Sequence, residues 1–174
     1  MMTIYLARHG QTEENLARIF QGHLPGRLTA EGKEQARILG VRLQNIAIDM
    51  VVSSDLQRCK DTVQLAVGER QLPWVTTPLL REIDWGSWTG LYIKDVDLTC
   101  FPTDVETEPM LYDRAAQFLQ WLKQNFDGRR ILVVGHGLIN RAVQAHIKGV
   151  PLQQLRSVPK MDNAELRTFT LENP

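Results

Sequence analysis

Apolar and polar positions alternate along this chain in two periods, and the switches between them divide it into elements. The unbroken apolar runs Thr3-Ile4-Tyr5-Leu6-Ala7 and Ile131-Leu132-Val133-Val134 predict strands buried on both faces. Asp49-Met50-Val51-Val52-Ser53 predicts a third, Trp74-Val75-Thr76-Thr77 a weaker one, and Glu165 to Leu171 alternates like an edge strand. Between the strands the period lengthens to that of a helix. Residues 29–47 carry Ala36, Leu39, Gly40, Leu43, Ile46 and Ala47 at helical spacing, with Thr29 as a suitable N-cap. Leu56, Cys59, Val63, Ala66 and Val67 form the inner stripe of a second helix, capped by Ser54 or Asp55. Leu111, Ala115, Phe118, Leu119, Leu122 and Phe126 do the same for a third helix, over about 110–126. A fourth runs from about Leu138 to Lys148, where Gly149 and Pro151 stop it.

Strands alternating with helices predict βαβ units, hence an α/β fold with a mostly parallel sheet covered on both faces and an antiparallel edge strand. A length of 174 residues suits a single domain over 1–174. The stretch 91–109 holds Pro102 and Pro109 and little periodicity, and reads as a loop or short lid.

Charge and composition narrow the partners. The 20 basic residues are balanced by 20 acidic ones, so no basic excess exists to bind nucleic acid. The opening Met1-Met2-Thr3-Ile4-Tyr5 lacks a positively charged leader, and no apolar run is long enough to span a bilayer. A cytoplasmic protein with no membrane partner is expected. Cys59 and Cys100 have no metal-ligand spacing and imply no disulfide framework. The oligomeric state is not readable.

The chemistry gathers where strands end. His9 in Arg8-His9-Gly10 and His136 in Gly135-His136-Gly137 each follow a buried strand. Parallel strands end on one edge, and ligands bind beyond it. Arg8, Ser54, Arg58, Arg81 and Glu82 fall at the same inferred edge. A phosphate monoester approaches a double negative charge, so its pocket needs fixed cations and many donors, and arginine forks suit its oxygens. Arg58 taken alone reads as a solvated helix residue. Arg8, at a buried strand end, needs a partner. Gly10 lets backbone approach a ligand, and a helix starting near Gly137 aims N–H groups at an anion. Glu82 lies in Leu79-Leu80-Arg81-Glu82-Ile83, an apolar setting that favours a proton donor for a leaving oxygen. His23 and His146 lack such context and read as structural.

These residues resemble the histidine phosphatase superfamily, also called the phosphoglycerate mutase-like family. Leu6-Ala7-Arg8-His9-Gly10-Gln11-Thr12-Glu13-Glu14-Asn15, then Phe20-Gln21-Gly22 and Leu28-Thr29-Ala30-Glu31-Gly32, is similar to its opening. Ser53-Ser54-Asp55-Leu56-Gln57-Arg58 is similar to its second phosphate-binding segment. Glu82-Ile83-Asp84-Trp85-Gly86 is similar to its acid segment, and Gly135-His136-Gly137 to its second histidine. The resemblance implies a three-layer α/β/α sandwich and a phosphohistidine mechanism without metal or cofactor. His9 would be the nucleophile, Arg8, Arg58 and His136 would bind the phosphoryl group, and Glu82 would be the general acid and base. Asn15, Gln21, Gly22 and Gly137 would complete the substrate site.

Pro25 and Arg27 depart from the family's usual aspartate and proline before Leu28-Thr29, which puts that loop's path in question. The segment between Glu82 and His136 is shorter than in the mutases. Residues 95–113 hold Asp95, Asp97, Asp104, Glu106, Glu108 and Asp113 with no lysine or arginine. The small phosphatase branch follows, acting on a small monophosphate with a neutral or aromatic organic part. α-Ribazole phosphate, a substrate of similar small members, fits an acidic lid with Trp85, Trp88 and Tyr92. Phosphoglycerate mutase, protein phosphohistidine phosphatase and a catalytically silent binding member are the alternatives. A cysteine phosphatase is excluded, since Leu65 and Glu106 stand where its arginine belongs, six residues after each cysteine.

Overall fold

The computed structural model describes residues 1–172. Strand β1 (Met2–Arg8) leads into helices α1 (Glu13–Ala17) and α2 (Ala30–Leu43). Then follow β2 (Met50–Ser54), α3 (Gln57–Val67), β3 (Trp74–Thr77), α4 (Glu108–Phe126), β4 (Arg130–Gly135), α5 (Gly137–Ile147) and β5 (Leu166–Leu171). The strands form one sheet in the order β3-β2-β4-β1-β5. All pairings are parallel except that of β5 with β1, so the antiparallel strand lies at the edge as expected.

The pleat sorts the side chains into two cores. Ile4 and Leu6 join Val52, Ile131 and Val133 against Leu111, Phe118 and Leu122 of α4 and Ile139 of α5. On the other face Ala7, Val51, Leu132 and Val134 meet Leu39 and Leu43 of α2 and Cys59 and Val63 of α3. Burial on both faces is why these strands read as unbroken apolar runs. Truncating Phe118, which is fully buried in the first core, would cost about 3–5 kcal/mol.

Helix boundaries differ from the expected ones for local reasons. Thr29 caps α2 by accepting the Gly32 N–H. The hydroxyl of Ser54 takes the Leu56 N–H, but α3 itself starts at Gln57 without a side-chain cap. Helix α4 begins at Glu108, earlier than its apolar stripe, because Thr107 caps it and Pro109 fits the first turn. Helix α1 has only five residues, too few for a stripe, and is held by the reciprocal capping box of Thr12 and Asn15. Within 91–109 a short helical turn, Ile93–Asp95, follows Tyr92, which bridges to Ile19. Among the described residues no helix is long and apolar enough to cross a membrane.

Register places the chemistry. Arg8 of β1 pairs with Gly135 of β4, and Ser53 of β2 pairs with Val134. The three strands therefore end level, and His9 and His136 leave the sheet side by side.

Candidate active site

The His9 and His136 rings meet edge to face with centroids 5.2 Å apart, and both are buried. His9 donates from Nδ1 to the Gly10 carbonyl at 2.7 Å. A carbonyl only accepts, so Nδ1 carries the proton and Nε2 keeps its lone pair. For His136 the fixed donor is Arg58, whose Nε–H reaches Nδ1 at 3.2 Å. Its proton is then on Nε2, which donates to Ser54 Oγ at 2.8 Å. Burial first, and then the charge of Arg58, hold both imidazoles well below their usual range, so both are neutral near pH 7.

Gly10 is required by packing against α2. A Cβ there would stand 2.4 Å from the Gly32 carbonyl oxygen of α2.

Arg8 donates from Nη1 to the Met161 carbonyl at 2.8 Å, while its Nε is buried with no partner among the described residues. A buried donor left unpaired costs about 1–3 kcal/mol, and an incoming anion would relieve it. Arg58 is only 1% exposed, which overturns its reading as a solvated surface residue. Its Nη2 and Nη1 donate to the carbonyls of Gly22 and Leu24, and its backbone N–H to that of Pro25. One guanidinium thus holds both the loop with Pro25 and Arg27 and the second histidine. Burial lowers the pKa of each arginine.

Two amides are oriented from behind. Asn15 Oδ1 accepts from the Thr12 N–H at 3.0 Å, and Gln21 Oε1 accepts from Thr12 Oγ1 at 2.9 Å. With both oxygens engaged, the two NH2 groups are left to donate to a ligand.

Glu82 does not sit in an apolar setting. Its Oε1 accepts from the N–H of Ile83 at 2.9 Å and of Ile139 at 3.1 Å, and its Oε2 from that of Leu138 at 3.0 Å. The N–H groups at the start of α5 therefore address this carboxyl group, and one lone pair of Oε2 stays open to take and give a proton. Arg114 clamps the segment by donating to the carbonyls of Leu79, Arg81 and Glu82 and to the Glu106 carboxylate. Arg81 is committed to Asp55 in a two-point pair of 2.8 and 2.7 Å. His23 donates from Nε2 to the Glu82 carbonyl, at the rim of the site, and His146 from Nε2 to that of Tyr112.

Two of the six acids in the stretch beyond Glu82 are in ion pairs, and a third, Asp104, is hydrogen-bonded. Glu106 pairs with Arg114 at 2.9 Å and Glu108 with Arg156 at 3.0 Å. Asp104 accepts from the backbone and hydroxyl of Ser87. The acidic lid therefore keeps Asp95, Asp97, Asp104 and Asp113 outside ion pairs among the described residues, while Glu106 and Glu108 are paired. Trp88 is core, buried with Phe20 and Val105, and Tyr92 is exposed beside Lys94. Trp85 lines a cavity of about 510 Å³ together with Ile83, Phe101 and Leu138. Cys59 lies 3.4 Å from His136 Nε2, but burial pushes its thiol up to about 12, and it stays protonated.

Sequence reasoning missed the turn that pins the His9 loop. Asn163 donates from Nδ2 to the His9 carbonyl at 3.2 Å and to Asn15 Oδ1 at 3.3 Å. The next N–H, of Ala164, is shared between the carbonyls of Arg8 and His9 at 3.0 and 3.1 Å. Ala164 holds φ at 58°, a left-handed conformation unfavourable for alanine, and so marks a strained, over-determined position.

Residues 4–173 match the model of the histidine phosphatase superfamily, branch 1. The adenosylcobalamin/alpha-ribazole phosphatase of Escherichia coli is 30% identical over 168 residues, covering 88% of this chain and 83% of that protein. A probable phosphoglycerate mutase GpmB of Serratia proteamaculans is 31% identical over 87% of this chain and 77% of its own. The solved structure of Bacillus stearothermophilus YhfR superposes with a TM-score of 0.93 at 28% identity, covering 99% of this chain and 92% of that one.

Proposed function

The chain belongs to the histidine phosphatase superfamily and is a phosphoric monoester hydrolase, and from that premise we propose that it works through a phosphohistidine formed on His9. The observation that carries this reading is the tautomer of His9. Nδ1–H is tied to the Gly10 carbonyl, which leaves the Nε2 lone pair as the nucleophile beside the buried Arg58 and the half-buried Arg8.

Nε2 attacks phosphorus and the bond to the leaving oxygen breaks, with Glu82 giving that oxygen a proton. The carboxylate then takes a proton from water, which attacks phosphorus, breaks the P–N bond and releases inorganic phosphate. Arg8 and Arg58 hold the phosphoryl oxygens, with the amides of Asn15 and Gln21 alongside, and His136 joins them by turning its Nε2–H from Ser54 to a phosphoryl oxygen. Gly22 and Gly137 shape the approach. The partner is a small phosphate monoester. The fixed positive charge of the two arginines supplies the stabilisation that a metal gives elsewhere, so the reaction is metal-independent.

The cavity beside Glu82 favours an aromatic or apolar leaving group, as in the α-ribazole phosphate named for the E. coli relative. The test is rapid quenching under alkaline conditions with labelled aryl phosphate, then mapping of the label. Phosphate on His9, and its absence with loss of turnover in His9→Ala, is the expected result. Undiminished turnover in that variant would refute the mechanism.

A further inference from the structure

The cavity of about 510 Å³ adjoins the reacting centre, because Leu138 and Ile83, whose N–H groups bind the Glu82 carboxylate, also form its wall. Trp85, Phe101 and Leu155 make the rest of that wall predominantly apolar. Four charged side chains also line it, and three of them are in ion pairs: Glu106 with Arg114, and Glu108 with Arg156. Arg141, one helical turn beyond Leu138 on α5, also faces the cavity. Its Nε is buried without an acceptor, and its guanidinium makes no hydrogen bond or ion pair among the described residues. Glu108 attracts the Arg141 charge but is itself ion-paired with Arg156, and Glu106 with Arg114.

A half-buried cation next to apolar walls is costly unless an anion joins it. We propose that Arg141 is a specificity-determining residue that binds an anionic group, a carboxylate, at the far end of an aromatic leaving group. The aromatic body fills the space between Trp85, Phe101 and Leu138, and its ester oxygen lies at Glu82. The spacing supports this geometry. Three residues of helix separate Leu138 from Arg141, a rise of about 4.5 Å, and a benzene ring with substituents at opposite ends spans a similar distance.

This inference rests on the phosphatase reading above, but it has a readout that needs no catalysis. Binding of 4-hydroxybenzoate, the leaving group alone, is measured by calorimetry against phenol and the neutral 4-hydroxybenzamide. Wild-type protein should bind the carboxylate roughly tenfold or more tightly than the amide, as a charge-assisted hydrogen bond provides. Arg141→Met should abolish that advantage, and Arg141→Lys should restore part of it. In turnover, the ratio of kcat/KM for 4-carboxyphenyl phosphate to that for phenyl phosphate should fall by a similar factor in Arg141→Met. Equal binding of acid and amide by the wild type overturns the proposal, as does an unchanged ratio in the variant, or better turnover of 3-phosphoglycerate than of the aryl acid. Binding of the carboxylate without turnover of any ester would instead overturn the phosphatase reading and leave the Arg141 assignment standing.

Discussion

Arg58 donates from Nε to Nδ1 of His136 at 3.2 Å, and that bond sets the tautomer of the second histidine opposite to that of the first. An arginine N–H cannot accept, so His136 must offer it a lone pair and place its own proton on Nε2, toward Ser54. His9 is protonated on Nδ1. Ring-nitrogen NMR at neutral pH should find the two histidines neutral and in opposite tautomers. Two rings in the same tautomer would contradict the assignment. Ser54→Ala leaves the Nε2–H of His136 without its acceptor, and should lower kcat/KM about tenfold.

Acid should weaken the unliganded protein. Burial and the neighbouring Arg58 depress both imidazoles below 6.5, so the unfolded chain binds more protons than the folded one as pH falls past that value. The neutral rings contribute stability above pH 6.5, and it is lost as pH drops toward their folded values. Each ring adds a slope of up to about 1.4 kcal/mol per pH unit. Urea unfolding at a series of pH values should show this loss, and His9→Gln should reduce the slope by one ring's share. A wild-type stability flat from neutral pH to about pH 5 would contradict it.

How much of this was legible in the sequence depends on whether the signal was local. The strands and four long helices follow from apolar period, and the pairing of Arg8 with Gly135 follows from parallel strands ending together. Arg58 taken alone reads as solvated because a helix position does not reveal that a loop folds over it, and only the family resemblance drew it into the site. Glu82 was misread because its three N–H donors come partly from α5, 56 and 57 residues away in sequence. Among the lid acids, Glu106 and Glu108 looked free because Arg114 and Arg156, which hold them, lie just outside or far beyond the acidic stretch. Asn163 carried no periodic signal, since a turn residue acts through a single contact with a distant loop.

Glu82→Gln removes the transferable proton and also turns an NH2 toward a backbone N–H of α5, a cost common to every substrate. An aryl phosphate with an acidic phenol needs little protonation of its leaving oxygen, and an alkyl phosphate needs much. The loss of kcat should therefore be at least tenfold larger on the alkyl ester. Equal losses on both would show that Glu82 serves some role other than proton donation.

Asn163→Ala should act on binding. It frees the Asn15 amide and releases the carbonyl of His9, contacts of 3.3 and 3.2 Å, without opening the apolar cores. One such hydrogen bond contributes about 1 kcal/mol, so vanadate inhibition should weaken several-fold while the melting temperature falls by only a few degrees. Asn163→Asp, which replaces the donating NH2 with an acceptor facing two oxygens, should be worse than alanine. A variant with unchanged vanadate affinity would reduce Asn163 to a structural turn residue.

The last expectation reverses a charge argument. If the acids beyond Glu82 were free, neutralising them would favour substrates with a second anionic group. In the folded protein Glu106 and Arg114 pair at 2.9 Å with little exposure, and Arg114 also holds the carbonyls on both sides of Arg81. Glu106→Gln therefore breaks a largely buried pair and loosens the segment that carries Glu82. It should destabilise the protein by about 3 kcal/mol and lower kcat on every substrate, with little change in preference between phosphoglycerate and aryl phosphate. Glu108→Gln breaks a far more exposed pair with Arg156, and should change stability by under about 1 kcal/mol. Paired denaturation and substrate-panel measurements on the two variants separate these outcomes. A selective gain of phosphoglycerate turnover in Glu106→Gln, with stability unchanged, would restore the repulsive lid.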